Sequence, residues 1–285
     1  MPGAWSWERV SGEQRSPPAR VRQRRGERKP CFPLWPTSFE SVGNLLVPHA
    51  PQRSWARGWL MSDLRVLVFA AHPDDEVLGM GGTIALHTSR GDEVRIVCVT
   101  DGSSTQYPGD ADTRARKKEE ARRAATELGV LDYVHLDLPD MRLDTVPHVE
   151  VNKVVEEHVR DFLPRQVYTP QPDVNLDHRA LFDSVVVATR PTPEQHVRRL
   201  LTYAPTSSTE WTPASLNWFV PNWFVDVTAT LERKLAAFAH YETERRPYPH
   251  PRSERAIRAA AELYGASSGC EYAEPFVLVR SLEPG

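Results

Sequence analysis

Between residues 64 and 190 one pattern recurs four times: a short apolar run rich in β-branched residues, then a segment with helical spacing. The runs are "LRVLVFAA" (64–71), "EVRIVCVT" (93–100), "DYVHLDL" (132–138) and "QVYTP" (166–170). After the first, Val77, Met80, Ile84 and Leu86 or His87 fall at helical intervals, and Gly91 stops the segment. The second is followed by "RARKKEEARRAATELGV" (114–130), with Ala121, Ala124, Ala125 and Leu128 on its apolar side. "VPHVEVNKVVEEHVRDFLP" and "HRALFDSVVVATR" follow the third and fourth. A strand that is apolar on both sides must be covered on both sides. The alternation therefore predicts βαβ units, a mostly parallel sheet with helices on both faces, and a three-layer α/β fold.

Beyond Pro191 the pattern loosens. "RLLTYAP", "NWFVDVT" and "EYAEPFVLVR" read as strands; "TLERKLAAFAHYETERR" and "SERAIRAAAELYGASS" read as helices. One domain over 62–285 is expected, with its C-terminal third covering or extending the sheet. Residues 1–61 read differently. They are rich in Pro and Arg, show no sustained period, and cannot bury enough surface to offset ordering entropy. A disordered extension is expected there. Folded-looking sequence begins at Met61, so translation starting at Met61 is the simplest account of the change.

Charge separates the same two parts. Residues 1–60 hold ten Lys and Arg against four Asp and Glu, leaving 25 against 34 in the rest. The main body is acidic, and nucleic acid is not its expected partner. No run reaches the roughly 20 apolar residues of a membrane span. Three widely spaced cysteines, Cys31, Cys98 and Cys270, form neither a disulfide framework nor a thiolate cluster, which points to the cytoplasm.

In open α/β sheets, ligands bind beyond the carboxyl ends of the strands. "AHPDDE" (71–76) lies at such an end and sets three acids side by side. They repel one another unless a cation or solvent intervenes. "QPDVNLDHRAL" (171–181) follows the fourth strand and brings Asp173, Asn175, Asp177 and His178. His72 and Asp75 can point into one space, and His178 can join them. Two histidines and one carboxylate leave open positions on a catalytic zinc. Asp74 is then placed to act as a base without binding the metal, and Asp177 to hold an imidazole tautomer. The competing reading of "DDE" is an acidic helix start facing the dipole. Gly79, Gly81 and Gly82 come too late after the strand for a dinucleotide loop and are expected to let the first helix pack closely on the sheet. His87, His135, His148, His158 and His196 are expected to lie on helices or strands without partners, while the helix of His240 is open to a return towards the site.

These residues resemble a known family. "AHPDDEVLGMGGTIA" is similar to the signature of the LmbE-like, or PIG-L, de-N-acetylases, and "NLDHRALFDSVVVATRP" resembles their second motif, typically H-x-D-H. "FVDVTATLERKLAAFAHY" and "EYAEPFVLV" resemble their C-terminal part, so the likeness spans about residues 64–280. It implies a Rossmann-like fold and metal-dependent removal of acetyl from an N-acetylated amino sugar or glycoconjugate. It places metal ligands on His72, Asp75 and His178, and a general base on Asp74. It implies Zn2+, with Fe2+ able to serve. Two departures stand out. Asn175 replaces the first histidine of H-x-D-H; it can donate to an oxyanion but cannot titrate near neutrality. Where the family often carries a substrate-binding Arg three residues before Glu120, this chain has Lys117, with Arg116 beside it.

The expected partner is a soluble small molecule; a homo-oligomer is left open. "YAPTSSTEWTPASLNWF" is open to lining a sugar pocket, and equally Trp211, Trp218 and Trp223 to being core or interface residues. The rival classes are an iron(II) oxygenase using the same ligand set, a metal-dependent amidase acting on a non-sugar, and a silent sugar-binding homologue.

Overall fold

The computed structural model describes residues 64–216 and 218–283. The expectations for residues 1–61, including the start at Met61, lie outside the described residues. Seven strands form one sheet: β1 (Arg65–Ala70), β2 (Glu93–Thr100), β3 (Asp132–Leu138), β4 (Gln166–Pro170), β5 (Arg199–Tyr203), β6 (Trp223–Asp226) and β7 (Ala273–Ser281). Their order is β3-β2-β1-β4-β5-β7-β6. The first five are parallel; β7 runs antiparallel to β5, and β6 antiparallel to β7. The α/β expectation is met, with the C-terminal third extending the sheet by its antiparallel edge.

Period 2 divides each central strand between two cores. On β1, Val66 and Val68 enter a cluster with Ile84 of α1 (Asp75–Ser89), Ala121 of α2 (Ala111–Glu127), Leu235 of α5 (Leu231–Ala239) and Ile257 of α6 (Glu254–Ser268). Leu67 and Phe69 enter the opposite cluster, with Val155 and Val159 of α3 (His148–Phe162) and Leu181 and Val185 of α4 (Leu176–Ala188). All of these side chains are buried, and those of β1 completely. Full burial of one is worth roughly 1.5–3 kcal/mol, and both faces of β1 contribute. This is the physical basis of the three layers.

Strand bounds for β2, β3 and β4 coincide with the apolar runs. Helix starts differ. α2 begins at Ala111, because the Asp110 side chain accepts from Thr113 N at 2.9 Å. α4 begins at Leu176, because Asn175 caps it by accepting from Asp177 N at 2.9 Å. Asp177 and His178 thus stand in a first helical turn rather than a loop. α5 stops at Ala239, short of the expected Arg246.

Two of the three early glycines meet the sheet: a Cβ on Gly79 would fall 2.2 Å from the Tyr203 ring of β5, and one on Gly82 3.3 Å from Glu274 Cδ of β7. Gly81 packs on Lys234 of α5 and Gly82 on Val227. The close approach is therefore to two layers, not to the sheet alone, and α1 kinks between them at Met80 (φ −149°, ψ 22°).

Strand order reverses at β1: the chain proceeds outward to β2 and β3, then returns to β4 on the other side. Loops leaving β1 and β4 diverge above this point, which opens a crevice at their carboxyl ends. His72 to Asp75 and Asp173 to His178 border it.

Candidate metal centre

The turn after β1 is anchored by the Ala71 carbonyl, which accepts from Thr100 N (3.1 Å) and Thr100 Oγ1 (2.7 Å). Asp74 then takes φ 116° and ψ −24°. A positive φ is rare outside glycine and costs on the order of 1–3 kcal/mol. Here it turns consecutive acids in different directions. Asp75 Oδ2 accepts from His72 N at 2.8 Å and lies 3.2 Å from His72 Nδ1 and 3.3 Å from His178 Nε2. One donor atom from each of His72, Asp75 and His178 falls within 4.8 Å of the others.

These residues fit a divalent cation. His178 Nε2 is buried and makes no hydrogen bond among the described residues, although a carboxylate oxygen stands 3.3 Å away. Two imidazole nitrogens and one carboxylate oxygen form a donor set suited to Zn2+ or Fe2+. The far side of each ring is already engaged. His178 Nδ1 lies 3.0 Å from both oxygens of Asp173, and Asp173 Oδ2 accepts from Ser208 Oγ (2.7 Å) and Thr209 Oγ1 (2.8 Å). His72 Nε2 lies 3.2 Å from Asp177 Oδ2, whose other oxygen accepts from Leu143 N at 2.8 Å. Carboxylates behind metal-binding imidazoles fix tautomer and ring orientation.

Electrostatics follow from crowding acids and imidazoles in a buried space. Burial opposes charge on His178, but Asp75 and Asp173 override it and push the ring up to about 9. Burial likewise opposes His72, and Asp75, Asp177 and Asp140 carry it well above its ordinary value. Asp75 is lowered despite burial, because both imidazoles face it. Asp74 is raised well above the usual carboxylate range by burial; the Arg252 guanidinium works against that rise and Glu244 adds to it. Burial also pushes Glu76 up to about 7, with Tyr241 donating to it at 2.8 Å.

Asp74 has its own support. Arg252 Nη1 lies 3.2 Å from Asp74 Oδ2, pairs with Glu244, and its Nε donates to Ser207 Oγ at 2.8 Å. Lys117 completes this chain, with Nζ 2.7 Å from Glu244 Oε1 and 2.8 Å from the Gly102 carbonyl. Lys117 is thereby buried in an ion pair, while Arg116 is exposed and lies 3.9 Å from Glu120. Asn175 spends its oxygen on the α4 cap and directs Nδ2 to Met141 Sδ at 3.6 Å.

Three further placements correct or extend the sequence reading. His87 has partners after all: Asp92 at 2.6 Å and Tyr168 at 3.2 Å. His240 does not return to the site; it lies 3.8 Å from Glu127. Trp211 and Trp218 are more than half exposed, and Trp223 lies beneath Arg199. Sequence reasoning missed Asp140 and Arg252. Asp140 Oδ1 stands 3.8 Å from His72 Nε2. Its signal was available, since "LPD" follows the third strand as "AHPDD" follows the first. Arg252 carries no local signal.

A two-histidine, one-carboxylate site at the switch point of a Rossmann-like sheet defines a class of α/β metalloproteins, and known proteins narrow it. Residues 67–189 match the family model for PIG-L, GlcNAc-PI de-N-acetylase. The diacetylchitobiose deacetylase of Thermococcus kodakarensis is 30% identical over 223 residues, covering 74% of this chain and 81% of that protein. A conserved protein from Thermus thermophilus superposes with a TM-score of 0.63 at 28% identity, over 78% of this chain and 97% of that one. An inhibitor-bound N,N'-diacetylchitobiose deacetylase from Pyrococcus horikoshii gives 0.61 at 25% identity, over 76% and 84%. This chain belongs to the PIG-L family.

Proposed function

We propose that this chain is a metal-dependent deacetylase that hydrolyses the acetamide of an N-acetylated amino sugar or glycoconjugate. The observation that carries the reading is the convergence of His72, Asp75 and His178 beside a buried, differently aimed Asp74. The named activities of its relatives support the substrate class. Zn2+ is the cation we favour, with Fe2+ as the alternative. When bound, the cation supplies Lewis acidity at the acetyl carbonyl and lowers the pKa of water to about 7.

The chain's own groups do the rest. Asp173 and Asp177 hold the two imidazoles with a lone pair directed inward. Asp74 takes the proton as water attacks the carbonyl carbon. It then gives that proton to the nitrogen as the C–N bond breaks. Acetate and a free amine leave. Asn175, whose oxygen accepts from Asp177 N, has a second N–H on Nδ2 beside the one directed to Met141, and this N–H is our candidate donor to the oxyanion. Arg116 is available to contact substrate from α2, whereas Lys117 acts through Glu244. The free thiols Cys98 and Cys270 support a cytoplasmic setting. No described helix is long and apolar enough to cross a membrane.

The test is a panel of N-acetyl sugars, N,N'-diacetylchitobiose included, assayed with zinc- and iron-loaded protein. The expected result is acetate and amine in equal amounts, lost in Asp74→Ala with metal content unchanged. Stoichiometric metal without amine release from any N-acetyl sugar overturns the reading, and oxygen uptake in its place points to the oxygenase.

A further inference from the structure

Arg252 is held from several sides beside Asp74, and one of its nitrogens is left over. A guanidinium carries five N–H donors in a rigid plane, one on Nε and two on each Nη. Nε donates to Ser207 Oγ at 2.8 Å. Nη1 meets two carboxylates, Asp74 Oδ2 at 3.2 Å and Glu244 Oε2. Nη2 makes no hydrogen bond or ion pair among the described residues. It is not sealed inside the protein either. The Arg252 side chain keeps 24% of its surface exposed, and Nη2 is not among the buried atoms left without a partner. Two N–H donors therefore reach accessible space next to the proposed base.

The direction of those donors is fixed. Glu244, which accepts from Nη1, is held by Lys117 Nζ at 2.7 Å, and Lys117 also donates to the Gly102 carbonyl at 2.8 Å. The next residue, Ser253, caps α6 by accepting from Ala256 N at 3.2 Å, which anchors the backbone of Arg252. Burial disfavours charge on Arg252, but Asp74, Glu244 and Asp75 outweigh it and keep the guanidinium ionised. Asp75 is the carboxylate of the candidate metal centre, so one guanidinium stands within electrostatic reach of both the base and the cation site. Formal charges along the chain cancel, Lys117 and Arg252 against Glu244 and Asp74. With no net positive charge left to neutralise an anion, Nη2 suits an uncharged oxygen acceptor.

We propose that Arg252 binds the substrate, with Nη2 donating to an uncharged oxygen on a carbon next to the one that bears the acetamide. The proposal rests on the deacetylase reading, which brings the amide nitrogen within proton-transfer reach of Asp74. In a 2-acetamido sugar two oxygens flank that nitrogen, the 3-hydroxyl and the oxygen on C1. Nη1 lies on the Asp74 carboxylate, and Nη2 is its neighbour in the same plane. The group that directs the base thereby also holds the sugar ring against it, and its planar fork spans the two tasks.

The experiment uses three compounds on full-length protein: the methyl β-glycoside of N-acetylglucosamine, its 3-deoxy analogue, and the 1,5-anhydro analogue that lacks the oxygen on C1. Binding is read by saturation-transfer NMR on metal-free protein, where no turnover intervenes, and kcat/KM on zinc-loaded protein. A hydrogen bond to a charged group is worth about tenfold or more in affinity, so Arg252→Gln should weaken the parent glycoside by about that factor. For one of the two analogues the variant and the wild type should bind alike, which identifies the oxygen that Nη2 contacts. Arg252→Lys keeps a charge against Asp74 and Glu244 but has no second nitrogen, and should show the same selective loss; thermal melting verifies that both variants fold. An equal penalty on all three compounds, or none on any, overturns the contact and leaves Arg252 a support of Asp74, with the deacetylase reading intact. If no compound releases amine but the selective loss of binding is seen, the contact stands and the deacetylase reading falls. Failure of all three to bind and to turn over overturns both.

Discussion

The two working parts of the site are built from different parts of the chain. The imidazoles are backed by acids from residues 140–177, at the ends of β3 and β4 and the start of α4. Asp74 is backed by a cation, Arg252, which sits far later in the chain and is itself held by Glu244. An acid behind an imidazole aims its lone pair at a cation; a guanidinium beside a buried carboxylate favours its ionised form and fixes its direction. On the proposed reading, the parallel half of the sheet carries the donors for the cation. The C-terminal third provides the surroundings of the base.

That division can be broken experimentally, and the largest effect should come from the ligands. Asp75→Ala should leave metal undetectable by elemental analysis and remove turnover with it. Asp74→Asn should lower turnover by about 10²–10⁴-fold at unchanged metal content. Loss of metal in that variant would mean the two parts are not separate. The supports should diverge in the same way at smaller amplitude. Asp173→Asn should weaken metal affinity by about 10–100-fold in chelator competition, whereas Arg252→Gln should leave affinity unchanged and lower turnover by less than Asp74→Asn does.

Proton linkage gives a further contrast, in metal-free protein. His178 is raised from 6.5 to about 9 in the fold, so its stabilisation is complete below pH 6.5 and is lost as pH rises through 9. Asp75, lowered in the fold, contributes above the ordinary carboxylate range and loses that contribution in acid. Tm of the metal-free protein should therefore fall between pH 6.5 and 9; a rise across that interval contradicts the assignment. The smallest effect concerns the backbone. Asp74→Gly should melt above Asp74→Ala by about 1 kcal/mol of stability, because glycine adopts positive φ without strain. Both variants should be inactive.

What was legible in the sequence had a local cause. β2, β3 and β4 are apolar runs bounded by turn residues, and burial on both faces leaves a continuous signal. His72, Asp75 and His178 were readable because strand ends converge in this class of sheet. The early start of α4 was also written there: Asn175 is a good cap and Asp177 suits a first turn. Arg252 and the route of His240 were not readable. Each depends on how α5, α6 and the segment between them pack, and no periodicity encodes a contact between residues 74 and 252. His87 was misjudged in part for the same reason, since one partner, Tyr168, arrives from β4, while the other, Asp92, lies only five residues on.

The left-handed residue at position 74 has a consequence for how this motif can vary. Because one peptide's rotation sends two neighbouring carboxylates to separate tasks, the pair behaves as a fork rather than a cluster. One residue inserted before position 74 would bring Asp74 to the place of Asp75 and leave the guanidinium without its acid; one residue deleted there would bring Asp75 to the guanidinium and Glu76 to the place of Asp75. Such a motif tolerates drift in the scaffold around it far better than any change in its own spacing.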